Sequence, residues 1–255
     1  MNKVDVDELR SKVKEMYKAV AEDPEGTFHF EMGRGLALRL GYPGAQLDQI
    51  SPEAIESFAG VGYHLGLAAL EPGERVLDLG SGSGMDAFVA ALEVGTDGLV
   101  TGVDMTEAQL EKARRLAARD GFTAVRFEKG YIERTPIGTA AVDVVISNGV
   151  INLCADKASV FSEIARVLKP GGRMAISDIV TEKPLTETII CDVNLWASCI
   201  GGARQQDDYQ GDIEGAGLRI EELRDNPEYY FISDSAQGAT ETFGVKSVSV
   251  RAVKP

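Results

Sequence analysis

Apolar residues recur along this chain with two different periods. From Val6 to Val20 they fall at Leu9, Val13, Met16, Tyr17 and Val20, the spacing that lines one face of a helix, so a helix is predicted there. Between Ala21 and Leu70 Gly and Pro punctuate the text, and aromatic residues stand at Phe28, Phe30, Tyr42, Phe58 and Tyr63. Short helices and loops that cover another part of the molecule are expected. From Arg75 the character changes. The apolar run Val76-Leu77-Asp78-Leu79 stops in Gly80-Ser81-Gly82-Ser83-Gly84, and a helical stretch follows from Asp86 to Glu93. The alternation then repeats: strand Leu99 to Val103, helix Thr106 to Asp120, strand Val125 to Phe127, strand Val142 to Ser147, helix Lys157 to Leu168, strand Met174 to Ser177. Strands alternating with helices of this length pair in parallel through helical crossovers, which predicts an α/β fold with a doubly wound sheet. The tail differs, because Arg219 to Leu223 and Val245 to Val253 are read as pairing without a long helix between them. An antiparallel edge finishing the sheet is the expectation.

Composition narrows the class. The chain has 255 residues, 40 acidic against 26 basic side chains, a net charge of −14 and 44% hydrophobic residues. A globule of this size buries roughly three quarters of the surface its unfolded chain exposes and needs no disulfide or metal to hold together. Three cysteines make no disulfide framework and fit a reducing compartment. No stretch reaches the ~18 uninterrupted apolar residues of a membrane span, and Met1 to Tyr17 is charged rather than signal-like. The expectation is a cytoplasmic protein with neither nucleic acid nor membrane as partner, since an acidic surface repels phosphate; a cationic small ligand suits it, and a homodimer is left open.

The glycine turn sits where a buried strand becomes a helix, so its backbone can approach a ligand closely. A dinucleotide fingerprint begun at Gly80 needs its third glycine where Met85 stands, whereas one begun at Gly82 fits the looser form through Gly84 and Ala87. A nicotinamide cofactor is therefore disfavoured but stays open. Asp104 ends the next strand, where a carboxylate can accept the two hydroxyls of a ribose.

Asp78, the glycine turn and Asp104 together resemble the class I S-adenosylmethionine-dependent methyltransferases from about Leu70 onward. The stretches Lys129 to Glu133, Val142 to Asn148, Val150 to Leu153, Asp156-Lys157, Val167 to Gly172, Ser198 to Ala203 and Ser247 to Pro255 are similar to one branch, the arsenite methyltransferases and their relatives. The resemblance implies a Rossmann-like, mostly parallel seven-stranded sheet with an antiparallel C-terminal edge, formed by residues 71–255 and covered by a helical N-terminal cap over residues 1–70. It implies S-adenosyl-L-methionine as cofactor. Asp78, Gly80, Ser81, Gly82 and Gly84 would lie by its methionine part, Asp104 on the ribose, Met105, Ile132 and Glu133 about the adenine, and Asn148 beside the methionine moiety.

The resemblance also speaks to the acceptor. Arsenite methyltransferases gather trivalent arsenic on three thiolates, and the matching places here are Val61, Gly149 and Cys199. Two of the three carry no thiol, so the reading favours S-methylation of a small thiol or sulfide, with a metalloid or another small organic acceptor as the alternative. Cys154 and Cys191 read as small buried hydrophobes, with Cys154, just past the motif, also within reach of the pocket. His64 and His29 are candidate bases for an acceptor that must lose a proton. Tyr17 and Tyr63 offer aromatic faces to a sulfonium, and Trp196 and Cys199 stand about one helical turn apart as candidates for the acceptor pocket.

Overall fold

A computed structural model describes residues 4–192, 195–196 and 200–255. The parallel strands arise from the apolar runs after Arg75: β1 (Arg75–Leu79), β2 (Leu99–Asp104), β3 (Val125–Lys129), β4 (Val142–Asn148) and β5 (Leu168–Thr181). β6 (Arg204–Gln205), β7 (Arg219–Asp225) and β8 (Lys246–Val253) complete an eight-stranded sheet in the order β3-β2-β1-β4-β5-β8-β7, with β6 beside β5. β1 pairs in parallel with both β2 and β4, whereas β8 runs antiparallel to β5 and to β7. The chain therefore leaves β1 in one direction for β2 and β3 and returns on the other side at β4. In such a sheet the carboxyl ends of the two strands flanking the reversal open a crevice, here between β1 and β4.

Period-two alternation divides the strand side chains between two cores. Val76, Val100, Val144 and Ile146 pack with the short N-terminal helices α2 (Gly33–Leu40), α4 (Pro52–Glu56) and α5 (Leu65–Ala68) and with α6 (Met85–Val94) and α7 (Glu107–Asp120). Leu77, Leu79, Val145, Met174 and Ile176 pack on the opposite face with α8 (Lys157–Val167) and the helix Gln206–Gly215. A third cluster closes the carboxyl end of the sheet, where Leu9 and Val13 of α1 (Val6–Glu22) meet Leu153, Ile179, Trp196 and Ile200. Asp5 caps α1 by accepting from the Asp7 and Glu8 amides.

Two expectations change. β5 begins at Leu168 and continues to Thr181, well past the expected Met174 to Ser177, because β8 pairs along Arg173 to Val180 and β6 along Val180 and Thr181. The expected direct connection of the C-terminal strands instead contains a ten-residue helix, Asp234–Phe243, capped by the Ser233 hydroxyl. Its sequence carries Gly238 and two threonines, residues of low helix propensity, and Phe243 as its one large apolar residue. Among the described residues no helix is long and apolar enough to cross a membrane.

Candidate active site

The turn after β1 is fixed from below by β2. The Gly80 and Ser81 amides both donate to the Val103 carbonyl, at 2.8 and 3.1 Å, and the Gly82 amide donates to Asp104 Oδ2 at 3.0 Å. Gly80 has φ +71°, and a Cβ there would lie 2.5 Å from both methyl carbons of Val150, so the position needs glycine for conformation and for space. Asp104 also accepts from the Thr106 amide at 2.7 Å, which ties the start of α7 to the end of β2.

Above this turn lies a cavity of about 440 Å³ at the β1–β4 crevice. Two of its polar atoms are buried without a partner, Asp78 Oδ2 and Ser81 Oγ. Buried polar atoms are almost always paired, so both mark a place where a ligand supplies the partner. Burial, with Asp86 and Asp104 as neighbouring acids, pushes the Asp78 carboxyl well above the ordinary carboxylate range; burial also raises Asp104. An acidic crevice of this kind favours a cationic guest.

The remaining walls come from the loop after β3, the end of β4 and the N-terminal helix. Gly130, Tyr131, Ile132 and Glu133 line one side. Arg10 of α1 forms an ion pair with Glu133 and lies 4.8 Å from the Tyr131 ring centre, while Lys14 Nζ donates to the Tyr131 hydroxyl at 3.0 Å. The far end of α1 is held by Gln109 Nε2, which donates to the Tyr17 carbonyl at 2.8 Å. Asn148 Oδ1 accepts from the Val61 amide at 2.8 Å, and its Nδ2 donates to the Gly62 carbonyl at 3.0 Å and to Asp86 Oδ2 at 3.2 Å. Tyr42 donates to the other Asp86 oxygen at 2.5 Å.

The cavity thus brings together Asp78, Gly80, Ser81, Gly82, Asp104, Met105, Ile132, Glu133, Asn148 and Tyr17. Gly84 is not on the wall; a Cβ there would meet Phe127 at 2.7 Å, so it lets α6 sit close to the sheet. His64 is fully buried in front of α5 and does not line the cavity. Neither of its ring nitrogens has a hydrogen-bond partner, and burial pushes its pKa down, which keeps the imidazole neutral. His29 packs edge-on against Phe30 at 4.7 Å and is not a wall residue. Tyr63 packs against Tyr42 at 4.7 Å, also off the wall. Trp196, a candidate for the acceptor pocket, is buried in the third cluster and is not a wall residue, its indole N–H donating to the Ile190 carbonyl at 2.5 Å. Cys191 is half-buried, and Cys199 lies outside the described residues.

Val61 and Gly149, far apart in the chain, are neighbours: a Cβ on Gly149 would lie 3.1 Å from Val61 Cγ1. Neither position carries a thiol, and neither lines the cavity. Cys154, expected to be simple packing, is instead on the cavity wall. Its position just past the fourth strand had left that placement open, whereas nothing in the sequence marked Arg10 or Gln109, which also line the wall. Burial pushes the Cys154 thiol up to about 11, with Glu133 adding to the effect. A thiol with a raised pKa stays protonated at pH 8, so iodoacetamide is expected to modify Cys154 about 100-fold more slowly than a free thiol of pKa ~8.5, with the rate climbing as pH approaches that value. Peptide mapping separates its label from those of Cys191 and Cys199; labelling at the free-thiol rate would contradict the buried setting. Among the described residues no group of three or more His, Cys, Asp or Glu is placed to hold a metal ion.

Residues 70–217 match the family described as a methyltransferase domain. The chain is 42% identical over 197 residues to an arsenite methyltransferase of Halobacterium salinarum, an alignment covering 77% of this chain and 50% of that one. It is 44% identical over 154 residues to the human arsenite methyltransferase, covering 55% and 40%. The chain spans about half the length of the curated relatives it matches. Among solved structures it is similar to an arsenic(III) S-adenosylmethionine methyltransferase from Chlamydomonas reinhardtii, with a TM-score of 0.65, 33% identity and coverage of 88% of this chain and 74% of that one. A geranyl diphosphate C-methyltransferase from Streptomyces coelicolor shares the fold at a TM-score of 0.69 and 17% identity, covering 95% of this chain and 98% of that one.

Proposed function

The chain belongs to the class I S-adenosylmethionine-dependent methyltransferases, in the branch similar to arsenite methyltransferases, and on that premise we propose that its methyl acceptor is a trivalent arsenical. The names of its relatives favour this over the free thiol or sulfide that the sequence suggested. The observation that carries it is one cavity with unpaired Asp78 Oδ2 and Ser81 Oγ at the cofactor end and the Cys154 thiol on its wall.

The cofactor supplies a methyl group already activated on a sulfonium sulfur. The chain's part is to hold the reactants in line and keep water out. Asp78 and Ser81 have unfilled polar atoms that would take the amino-acid end, Asp104 at the end of β2 would accept from the ribose, and Met105 and Ile132 would give apolar cover to the adenine beside Glu133. The segment 1–70 serves as the lid, with the Arg10–Glu133 pair as its latch. Cys154 meets the acceptor as a neutral thiol. Its S–H exchanges with an As–OH group, forming As–S and releasing water. With S-adenosylmethionine bound at Asp78, Ser81 and Asp104, the arsenic held on Cys154 would present its lone pair to the activated methyl, and the cofactor would leave as S-adenosylhomocysteine with the electron pair of the broken S–CH3 bond.

A second reading, methylation of a small thiol or sulfide, is favoured by the lack of a thiol at Val61 and Gly149, the places that match two arsenic-binding thiolates in the resemblance. Labelled S-adenosylmethionine with arsenite, sulfide or methanethiol, with volatile and soluble products both counted, separates the two. Methylated arsenic is expected to be the dominant product, and Cys154→Ser is expected to lower its rate at least tenfold while leaving S-adenosylhomocysteine affinity within twofold. Sulfide or methanethiol as the dominant acceptor would establish the second reading instead.

A further inference from the structure

Lys157 opens α8, a place where a lysine usually reaches into water, yet the residue is only 6% exposed. Its ammonium donates to the Asn152 carbonyl at 3.2 Å and to the Cys154 carbonyl at 2.9 Å, and lies 5.0 Å from the centre of the Trp196 ring. The two carbonyls belong to the turn after β4 that contributes Leu153, Cys154, Ala155 and Asp156 to the cavity wall. Trp196 belongs to the cluster that packs beneath Leu9 and Val13 of the N-terminal helix. The turn and Trp196 are pressed together at a second point, since a Cβ on Gly202 would fall 1.9 Å from the Asn152 carbonyl oxygen and 2.6 Å from the Trp196 ring.

A buried ammonium is costly unless its surroundings answer it. Asp178 of β5 provides the opposing charge, itself fixed by the Tyr209 hydroxyl, which donates to it at 2.7 Å. Arg204 and Asp212, paired with each other at 2.6 Å, and the Cys154 thiol are the other charged or titratable groups that act on it. Burial lowers the Lys157 pKa to about 8, which leaves the ammonium mostly charged at neutral pH. The group touches none of the cofactor-side residues and is itself off the cavity wall.

We infer that Lys157 is a positioning residue for the methyl acceptor: one ammonium, gripping the Asn152 and Cys154 carbonyls against Trp196, sets the wall that the acceptor meets without taking part in cofactor binding. The inference rests on the reading that the acceptor sits at Cys154. It predicts that the turn and Trp196 loosen together when the ammonium is removed, and that an arginine, which keeps a charge and several donors, holds them in place.

Lys157→Met and Lys157→Arg are the variants. Trp196 is the chain's only tryptophan, so acrylamide quenching of its emission reads the packing around that ring directly and needs no acceptor. Lys157→Met is expected to raise the quenching constant at least threefold and the KM for arsenite about tenfold, with the KM for S-adenosylmethionine and the affinity for S-adenosylhomocysteine within twofold. Lys157→Arg is expected to restore most of both changes. Equal losses in cofactor and acceptor affinity, or a quenching constant that does not move, would overturn the inference. Should Lys157→Met not fold, Trp196→Leu, which leaves the ammonium its two carbonyls, is expected to raise the arsenite KM with cofactor affinity intact; an unchanged KM would overturn it equally. If the quenching and its rescue behave as expected but the wild-type protein methylates no arsenite, the arsenical reading fails and the clamp stands.

Discussion

Asp104→Ala is expected to weaken S-adenosylmethionine and S-adenosylhomocysteine binding by at least about 100-fold. Asp104 does two things at once. Its oxygens accept from the Gly82 and Thr106 amides, which fixes the glycine turn over the end of β2, and the same carboxylate borders the cavity. Two hydrogen bonds from ribose hydroxyls to a carboxylate contribute about 1.5–3 kcal/mol each, and each 1.4 kcal/mol is about tenfold in affinity. Loss of both therefore exceeds 100-fold before any loosening of the turn is added. Asp104→Asn keeps the shape but replaces one acceptor with a donor, so a smaller loss is expected. Because burial raises the Asp104 pKa, its carboxylate protonates at a higher pH than an ordinary aspartate, and cofactor affinity is expected to fall as pH drops through that raised value. Calorimetry with S-adenosylhomocysteine across pH, with circular dichroism to confirm folding, tests this. Binding by a folded Asp104→Ala variant within fivefold of wild type would remove Asp104 from the site.

The cofactor end of the site was legible because its chemistry lies in contiguous residues. A buried strand must stop where glycines turn it, and an acid at the end of the next strand is carried to the same edge by parallel pairing, so Asp78, Gly80 and Asp104 converge without any tertiary information beyond the alternation of elements. The wall around Cys154 was less legible because it is assembled from residues far apart in sequence. Whether His64 enters the cavity or the core depends on how the segment before β1 packs, and no local period encodes that. Cys154 and Lys157 stand three residues apart with opposite environments, a thiol on the wall and an ammonium behind it, set by the 3₁₀ turn Ile151–Leu153 and by Trp196 from a distant segment. The adjacency of Val61 and Gly149 is likewise a product of Asn148 pinning the Val61 amide to the end of β4.

The glycine turn makes the sharper demand on covalent structure, and Gly80→Ala is expected to cost about 2–5 kcal/mol of folding stability together with most of the cofactor affinity. One part is conformational: at φ +71° an L side chain is strained by about 1–2 kcal/mol. The other is steric. The new methyl would lie 2.5 Å from both Val150 methyl carbons and 2.9 Å from its Cβ, and valine's branched side chain has little rotamer freedom with which to yield, so overpacking adds about 1–3 kcal/mol. Relief has to come from the backbone, and the backbone here is the cavity floor: moving Gly80 disturbs the Gly80 and Ser81 amides on Val103 and displaces the unpaired Ser81 hydroxyl. Gly73→Ala separates the two contributions, because Gly73 has φ +86° with nothing within 4 Å of a new Cβ, so it carries strain without the clash. Urea unfolding of the two variants beside wild type should give a loss for Gly80→Ala larger by the steric part, and only Gly80→Ala should lose S-adenosylhomocysteine binding. Equal losses in the two variants would mean that Val150 yields freely; an intact affinity in Gly80→Ala would mean that the turn does not meet the cofactor.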